Sequence, residues 1–186
     1  MKKNNLFLAC IFAFIVVFSG CDKDEPEIPN EEELITTLNY TLTPAGGGAS
    51  ITLSFKDTDG DGGNAPSITG GTLAANQTYS GEMALLNELE SPAEDITEEI
   101  EEEDEDHQFF FQSNVTGLSI SYDDQDGNGN PIGLSSSLST GSAASGSLSI
   151  ILRHEPNKSA DGVMDGDIGN AGGETDIEVT FPIDVQ

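Results

Sequence analysis

The strongest constraint lies at the end of the chain. In Asp176–Val185 the residues Ile177, Val179, Phe181, Ile183 and Val185 fall on one side of an extended strand, opposite Asp176, Glu178, Thr180 and Asp184. A period of two with one apolar and one polar side belongs to a sheet with one buried and one wet face, which favours antiparallel pairing. Shorter bursts of the same kind recur. Leu34–Leu42 (LITTLNYTL) and Ser50–Phe55 (SITLSF) alternate, and Gly71–Ala74, Gln77–Asn87, Gln108–Gln112, Gly117–Tyr122 and Gly146–Arg153 are further strand candidates. Gly-, Asn-, Asp- and Pro-rich turns separate them. The expected fold is mainly β: one antiparallel β-sandwich over residues 34–186, Ig-like or jelly-roll-like, with a single short acidic helix.

The helix is expected after Ser91-Pro92-Ala93-Glu94, which reads as an N-cap Ser, a Pro in the first helical position and a Glu closing a capping box. The following acidic run carries Ile96 and Ile100 as its apolar contacts, and the helix should fray before Phe109-Phe110-Phe111. Three consecutive Phe cannot share one side of a strand. Either both faces of that sheet are covered, or one ring is exposed.

Residues 1–20 have the layout of an export signal: Lys2 and Lys3, then an apolar stretch from Leu6 to Phe18 that is short for a membrane span. Phe18-Ser19-Gly20-Cys21 resembles a bacterial lipobox, which implies cleavage before Cys21 and acylation of that residue; the competing reading is an ordinary signal peptide with an incidental Cys. Residues 21–33 form an acidic, proline-containing tether. Its acidic start looks like the export signal of Bacteroidetes surface lipoproteins, whereas Asp directly after the lipid Cys is an inner-membrane retention signal in enteric bacteria. The acidic run as a whole favours the outer membrane, with both leaflets open and exposure at the cell surface one of the two readings.

Charge and cysteine content exclude several functions. The chain carries 34 Asp and Glu against 6 Lys and Arg, a formal charge of −28; loss of Lys2 and Lys3 leaves 34 − 4 = 30 net negative charges. Such a surface repels phosphate backbones, so no nucleic-acid partner is expected. With Cys10 in the leader and Cys21 acylated, the domain has no thiol and no disulfide. There is no G-x-S-x-G elbow, P-loop or dinucleotide fingerprint, and no catalytic residue is assigned.

Two constellations remain. Asp57, Asp59 and Asp61 before Gly62 fit D-x-D-x-D-G, and Asp124, Asp126 and Asn128 before Gly129 fit D-x-D-x-N-G. Oxygen donors at positions 1, 3 and 5 with Gly at 6 open a calcium loop, but position 12, which should be a bidentate Glu, is Ile68 or Ser135, so neither loop is an EF-hand. Calcium is therefore one reading, and ordinary β-turns built from Asp, Asn and Gly are the other. Asp161, Asp165 and Asp167 form a third acidic loop of looser spacing that could complete a site. The second constellation is His107 and His154. Glu103 lies four residues before His107, on the same helical face if the helix persists, and a carboxylate near both histidines would make a zinc or copper site. Solvated or hydrogen-bonded histidines are the alternative.

The stretches FKDTDGDGG, ITGGTLAANQTYSGEMALLNE, AEDITEEIEEEDEDHQFFFQ, LRHEPNK and NAGGETDIEVTFPIDV resemble a family of uncharacterised flavobacterial envelope lipoproteins, over nearly the whole mature chain. Members often carry the label "type 1 periplasmic binding fold superfamily protein", which implies two α/β lobes about a solute cleft. One helix does not supply paired βαβ units, so the sandwich remains the expected fold. Functionally, the expectation is a non-enzymatic binding or interaction module, held to the membrane by its lipid and working beside an outer-membrane receptor or another envelope protein. A metal- or solute-capture lipoprotein accessory to an outer-membrane transport receptor is the alternative.

Overall fold

A computed structural model describes residues 33–60 and 63–186. The strands are β1 (Thr37–Pro44), β2 (Ile51–Lys56), β3 (Ser67–Thr69), β4 (Gly71–Leu73), β5 (Thr78–Asn87) and β6 (Glu94–Asp95). After helix α1 (Ile96–Glu102) follow β7 (His107–Ser113), β8 (Ser119–Tyr122), β9 (Ser135–Ser139), β10 (Ala144–His154) and β11 (Glu174–Val185). One sheet runs β3-β2-β1-β5-β9-β8, with β6 also paired to β5; the other runs β4-β11-β10-β7. All pairs are antiparallel except β4 with β11, which is parallel. The mainly β, antiparallel architecture expected from the alternation is the one observed.

The apolar sides of the two sheets form one core. Leu38, Tyr40, Leu42, Leu85 and Leu138 of the first sheet share a buried cluster with Phe109, Leu148, Ile150, Val179 and Phe181 of the second. Tyr40 is fully buried and its hydroxyl hydrogen-bonds Ser136 Oγ at 2.8 Å. Gly81 on the adjacent strand makes room for that ring: a Cβ there would lie 2.3 Å from Tyr40 Oη.

The three phenylalanines resolve in favour of two covered faces. Phe109 and Phe110 are both fully buried and Phe111 is partly buried. Phe110 points away from the main core and packs with Ile151, Val163 and Ala171. The cover comes from the chain between β10 and β11, which holds two short 3-10 turns, Val163–Asp165 and Ile168–Asn170. Lys158 pins this cover, since its Nζ donates to the Asp104 carbonyl and to Asp126 Oδ2 (3.1 Å).

The helix begins later than its sequence suggests. Asp95, not Ser91, is the N-cap, and it accepts from the Thr97 amide at 3.1 Å. Pairing of Glu94 and Asp95 with Asn87 and Leu86 holds the residues after Ser91 in extended form, so the capping box never closes. Ile96 and Ile100 are buried as the stripe implied.

Candidate metal centre

The two histidines meet. β7 and β10 pair so that His107 lies directly opposite His154. On β7 the inward side is 107, 109 and 111, and on β10 it is 148, 150, 152 and 154, so both imidazoles continue the core face at its end. The rings contact edge to face, with centroids 4.8 Å apart and planes at 73°. Both residues are buried.

A third side chain reaches them through a break in β11. Leu152 pairs with Ile177 but Arg153 pairs with Thr175, leaving Asp176 as the extra residue of a β-bulge. Bulges re-aim side chains. Strict alternation puts Asp176 on the wet face; the bulge turns it inward, and its side chain is fully buried. Its Oδ2 lies 3.9 Å from His107 Nε2 and its Oδ1 lies 3.6 Å from His154 Nδ1. Donor atoms of the three residues all fall within 4.8 Å of one another.

The orientation of His107 is set from outside this triad. The helix ends at Glu102, so Glu103 and His107 do not share a helical face as the spacing suggested. Instead His107 Nδ1 hydrogen-bonds the main-chain oxygen of Glu103, at 3.1 Å. A carbonyl only accepts, so Nδ1 carries the proton and Nε2 is the lone-pair nitrogen of the neutral ring. Burial, with the nearby His154, lowers the His107 pKa below its ordinary value, against the smaller upward pull of the Glu103 carbonyl. The ring is thus held neutral with Nε2 toward Asp176. Imidazole ligands of metals are commonly fixed in this way, the other ring N–H donating to a backbone carbonyl.

A second carboxyl group adjoins the triad. Glu33, Glu103 and His107 also bring donor atoms within 4.8 Å of one another, so His107 is common to both groups. Burial, a hydrogen bond shared with Glu99 and the neighbouring acids Glu99, Glu103 and Asp176 push the Glu33 carboxyl up to about 8. Burial also raises Glu99. These are the two groups of three or more His, Cys, Asp or Glu donors that converge among the described residues.

The Asp-rich loops present a different picture. Asp57 Oδ1 accepts from the Asp59 and Gly60 amides, and Asp59 Oδ2 accepts from the amide and side chain of Asn64. Asp61 lies outside the described residues, as does Cys21. In the second loop Asp124 accepts from the Gly133 and Ser135 amides at 2.7 and 2.8 Å. Asp126 accepts from the Asn128 and Asn130 amides and faces the Lys158 ammonium. Asn128 contributes its amide to Asp126. The carboxylates of this loop thus serve as turn and cap acceptors, and the cation beside Asp126 is a lysine. Asp165 lines a cavity of about 370 Å³ with Asp124, whereas Asp167 caps the second 3-10 turn by accepting from Gly169.

No family model, curated protein or solved structure matches this chain. The chemistry of the site therefore rests on its own geometry. Bonds of about 2.0–2.2 Å at a tetrahedral centre set donor atoms roughly 3.4 Å apart. The His–Asp separations of 3.6 and 3.9 Å are too long for hydrogen bonds and close to that spacing. Two imidazoles and a carboxyl suit zinc, copper or nickel, whereas calcium and magnesium prefer oxygen.

Proposed function

We propose that this protein is a lipid-anchored cell-envelope module that captures a divalent transition-metal ion, zinc or copper, through His107, His154 and Asp176. The observation that carries the reading is the bulge at Asp176, which places a buried carboxyl against two buried, facing imidazoles. Together they offer a cation one carboxyl and two imidazole donors whose atoms all lie within 4.8 Å of one another. Held at Nδ1 by a carbonyl, His107 is neutral and aimed before any ion arrives, so little ordering is needed on binding.

The role is binding rather than catalysis. Side-chain exposures of 0%, 7% and 0% for His107, His154 and Asp176 leave no face open to a substrate, as in closed metal sites. Attachment through Cys21, an outer-membrane location and work beside a transport receptor belong to the same proposal. They are supported by the lipobox-like Phe18-Ser19-Gly20-Cys21 and the acidic run behind it.

Thermal unfolding of the full chain tests the assignment. At 100 times its Kd an ion that binds only the native state adds about 2.7 kcal/mol. For a chain of this size that is roughly 5–11 °C in Tm. The rise should occur with Zn²⁺ or Cu²⁺, not with Mg²⁺ at matched ionic strength, and should vanish in His154→Ala and in Asp176→Asn. Equal shifts in all salts, or a Zn²⁺ shift that survives both substitutions, would overturn it.

A further inference from the structure

We propose that the outer edge of β8 and the cavity beside it form a docking groove for an extended, basic segment of a partner protein, which adds a strand to the first sheet. This groove shares no residue with the metal centre. β8 ends its sheet, and among the described residues it pairs with β9 alone. The direction of its backbone groups follows from the flanking bonds. The Asp123 amide donates to the Ser135 carbonyl at 3.0 Å, so the antiparallel ladder bonds Ser121 to Ser137 and Ser119 to Ser139. β9 agrees, because the Thr140 amide donates to the Gln77 carbonyl and its even-numbered residues thus serve β5. The N–H and C=O groups of Ile120 and Tyr122 therefore face away from β9, as the template that strand addition uses.

A cavity lies along this edge. About 370 Å³ in volume, it is lined by Ile120 and Tyr122 of β8, by Asp124 and Pro131, and by Met164 and Asp165 of the first 3-10 turn. A smaller cavity of about 50 Å³ shares Ile120, Tyr122 and Asp165 with it and reaches Phe111 of β7, the edge strand of the other sheet. In such grooves main-chain pairing supplies affinity, and pockets for alternate side chains supply specificity. Here the pocket combines a tyrosine ring and a thioether with two carboxyl groups. That suits a side chain with an aliphatic stem and a cationic head, lysine or arginine. Met164 is 52% exposed, and a flexible thioether adapts to an incoming stem. Net charge decides the partner: at −28 this chain repels a second copy of itself and attracts a basic segment.

The probe is a fluorescent peptide alternating valine with lysine, titrated against the full-length protein and read by anisotropy. Its controls are a valine–glutamate peptide and the valine–lysine peptide N-methylated throughout, which keeps its charge but has no amide to donate. The valine–lysine peptide should bind at least about tenfold more tightly than either control and slow exchange of the Ile120 and Tyr122 amides. Ile120→Pro removes one outward donor and no bond to β9, and edge strands accept proline. It should weaken binding about tenfold. Asp165→Lys, at an exposed turn position, should do the same without touching the strand, so a folding defect in the first variant does not decide the matter. Glu178→Lys, exposed on β11, makes the same charge change elsewhere and should bind as wild type. Equal binding of the N-methylated peptide, or an equal loss in Glu178→Lys, reduces the contact to general attraction of charge and overturns the proposal. So does absence of binding, exchange protection confined to another edge, or a concentration-dependent dimer that protects β8 without peptide.

Discussion

Gly81→Ala probes how tightly the sandwich is assembled around Tyr40. The added Cβ would sit 2.3, 2.5 and 2.6 Å from Oη, Cε2 and Cζ of the ring. The ring has no slack, because Tyr40 is fully buried and its hydroxyl is tied to Ser136, itself fully buried. Overpacking costs about 1–3 kcal/mol, and pulling the hydroxyl from its partner leaves buried polar groups unsatisfied for about 1–3 more. Replacing glycine in a strand returns about 0.5–1 kcal/mol, so the net loss should be about 1–5 kcal/mol. Measured against a typical total of 5–15 kcal/mol, this is large. Urea unfolding followed by tyrosine fluorescence reads it as a lower midpoint at unchanged slope. Adding Tyr40→Leu should recover part of the loss, a coupling that a double-mutant cycle isolates. A Gly81→Ala change below about 0.5 kcal/mol would mean that Tyr40 is not held as described.

Three further outcomes follow from the same geometry. Burial pushes the hydroxyls of Tyr40 and Tyr122 up to about 12, so each favours the folded state in its protonated form; that contribution is complete below pH 10 and is lost between about 10 and 12, and phenolate absorbance should rise together with unfolding in that window. Burial would raise Asp126, but the Asn130 amide and Lys158 outweigh it and hold the carboxyl below its ordinary range, so its contribution is present above that range and fades as pH falls through the lowered pKa; Lys158→Met, which strands Asp126, should cost about 3–5 kcal/mol and expose the Phe110 face to a hydrophobic dye. Cys21→Ser should abolish acyl labelling and membrane retention, and a variant that stays in the membrane pellet with unchanged mobility would refute the anchor.

The strands were legible because each apolar side of a half-buried strand repeats every second residue, as in Ile51, Leu53 and Phe55 or Ile177 to Val185. β9 was not, since Ser135–Ser139 contains one apolar residue; it is a strand because β5 and β8 pair with it on both sides and Ser136 meets Tyr40. The helix start moved from Ser91 to Asp95 because β6 pairing is a tertiary event that local capping rules do not see. At the site, His107 and His154 stood out by scarcity, but their meeting depends on cross-strand register. Asp176 was hidden for a sharper reason. Alternation assigns it to solvent, and only the slip between Leu152 and Arg153 turns it in. Glu33 read as the end of a solvated tether, yet it is half-buried beside Glu99.

Anomalous diffraction from crystals of the protein grown with Zn²⁺, collected on both sides of the zinc edge, tests the metal assignment most directly. The account predicts one peak per chain among His107 Nε2, His154 Nδ1 and Asp176, at about 2.0–2.2 Å from each donor. A parallel crystal with Ca²⁺ should leave that position empty, since two of its three donors are imidazole nitrogens. No zinc peak there at saturating Zn²⁺, or a peak confined to the Asp57 or Asp124 loop, would contradict the account.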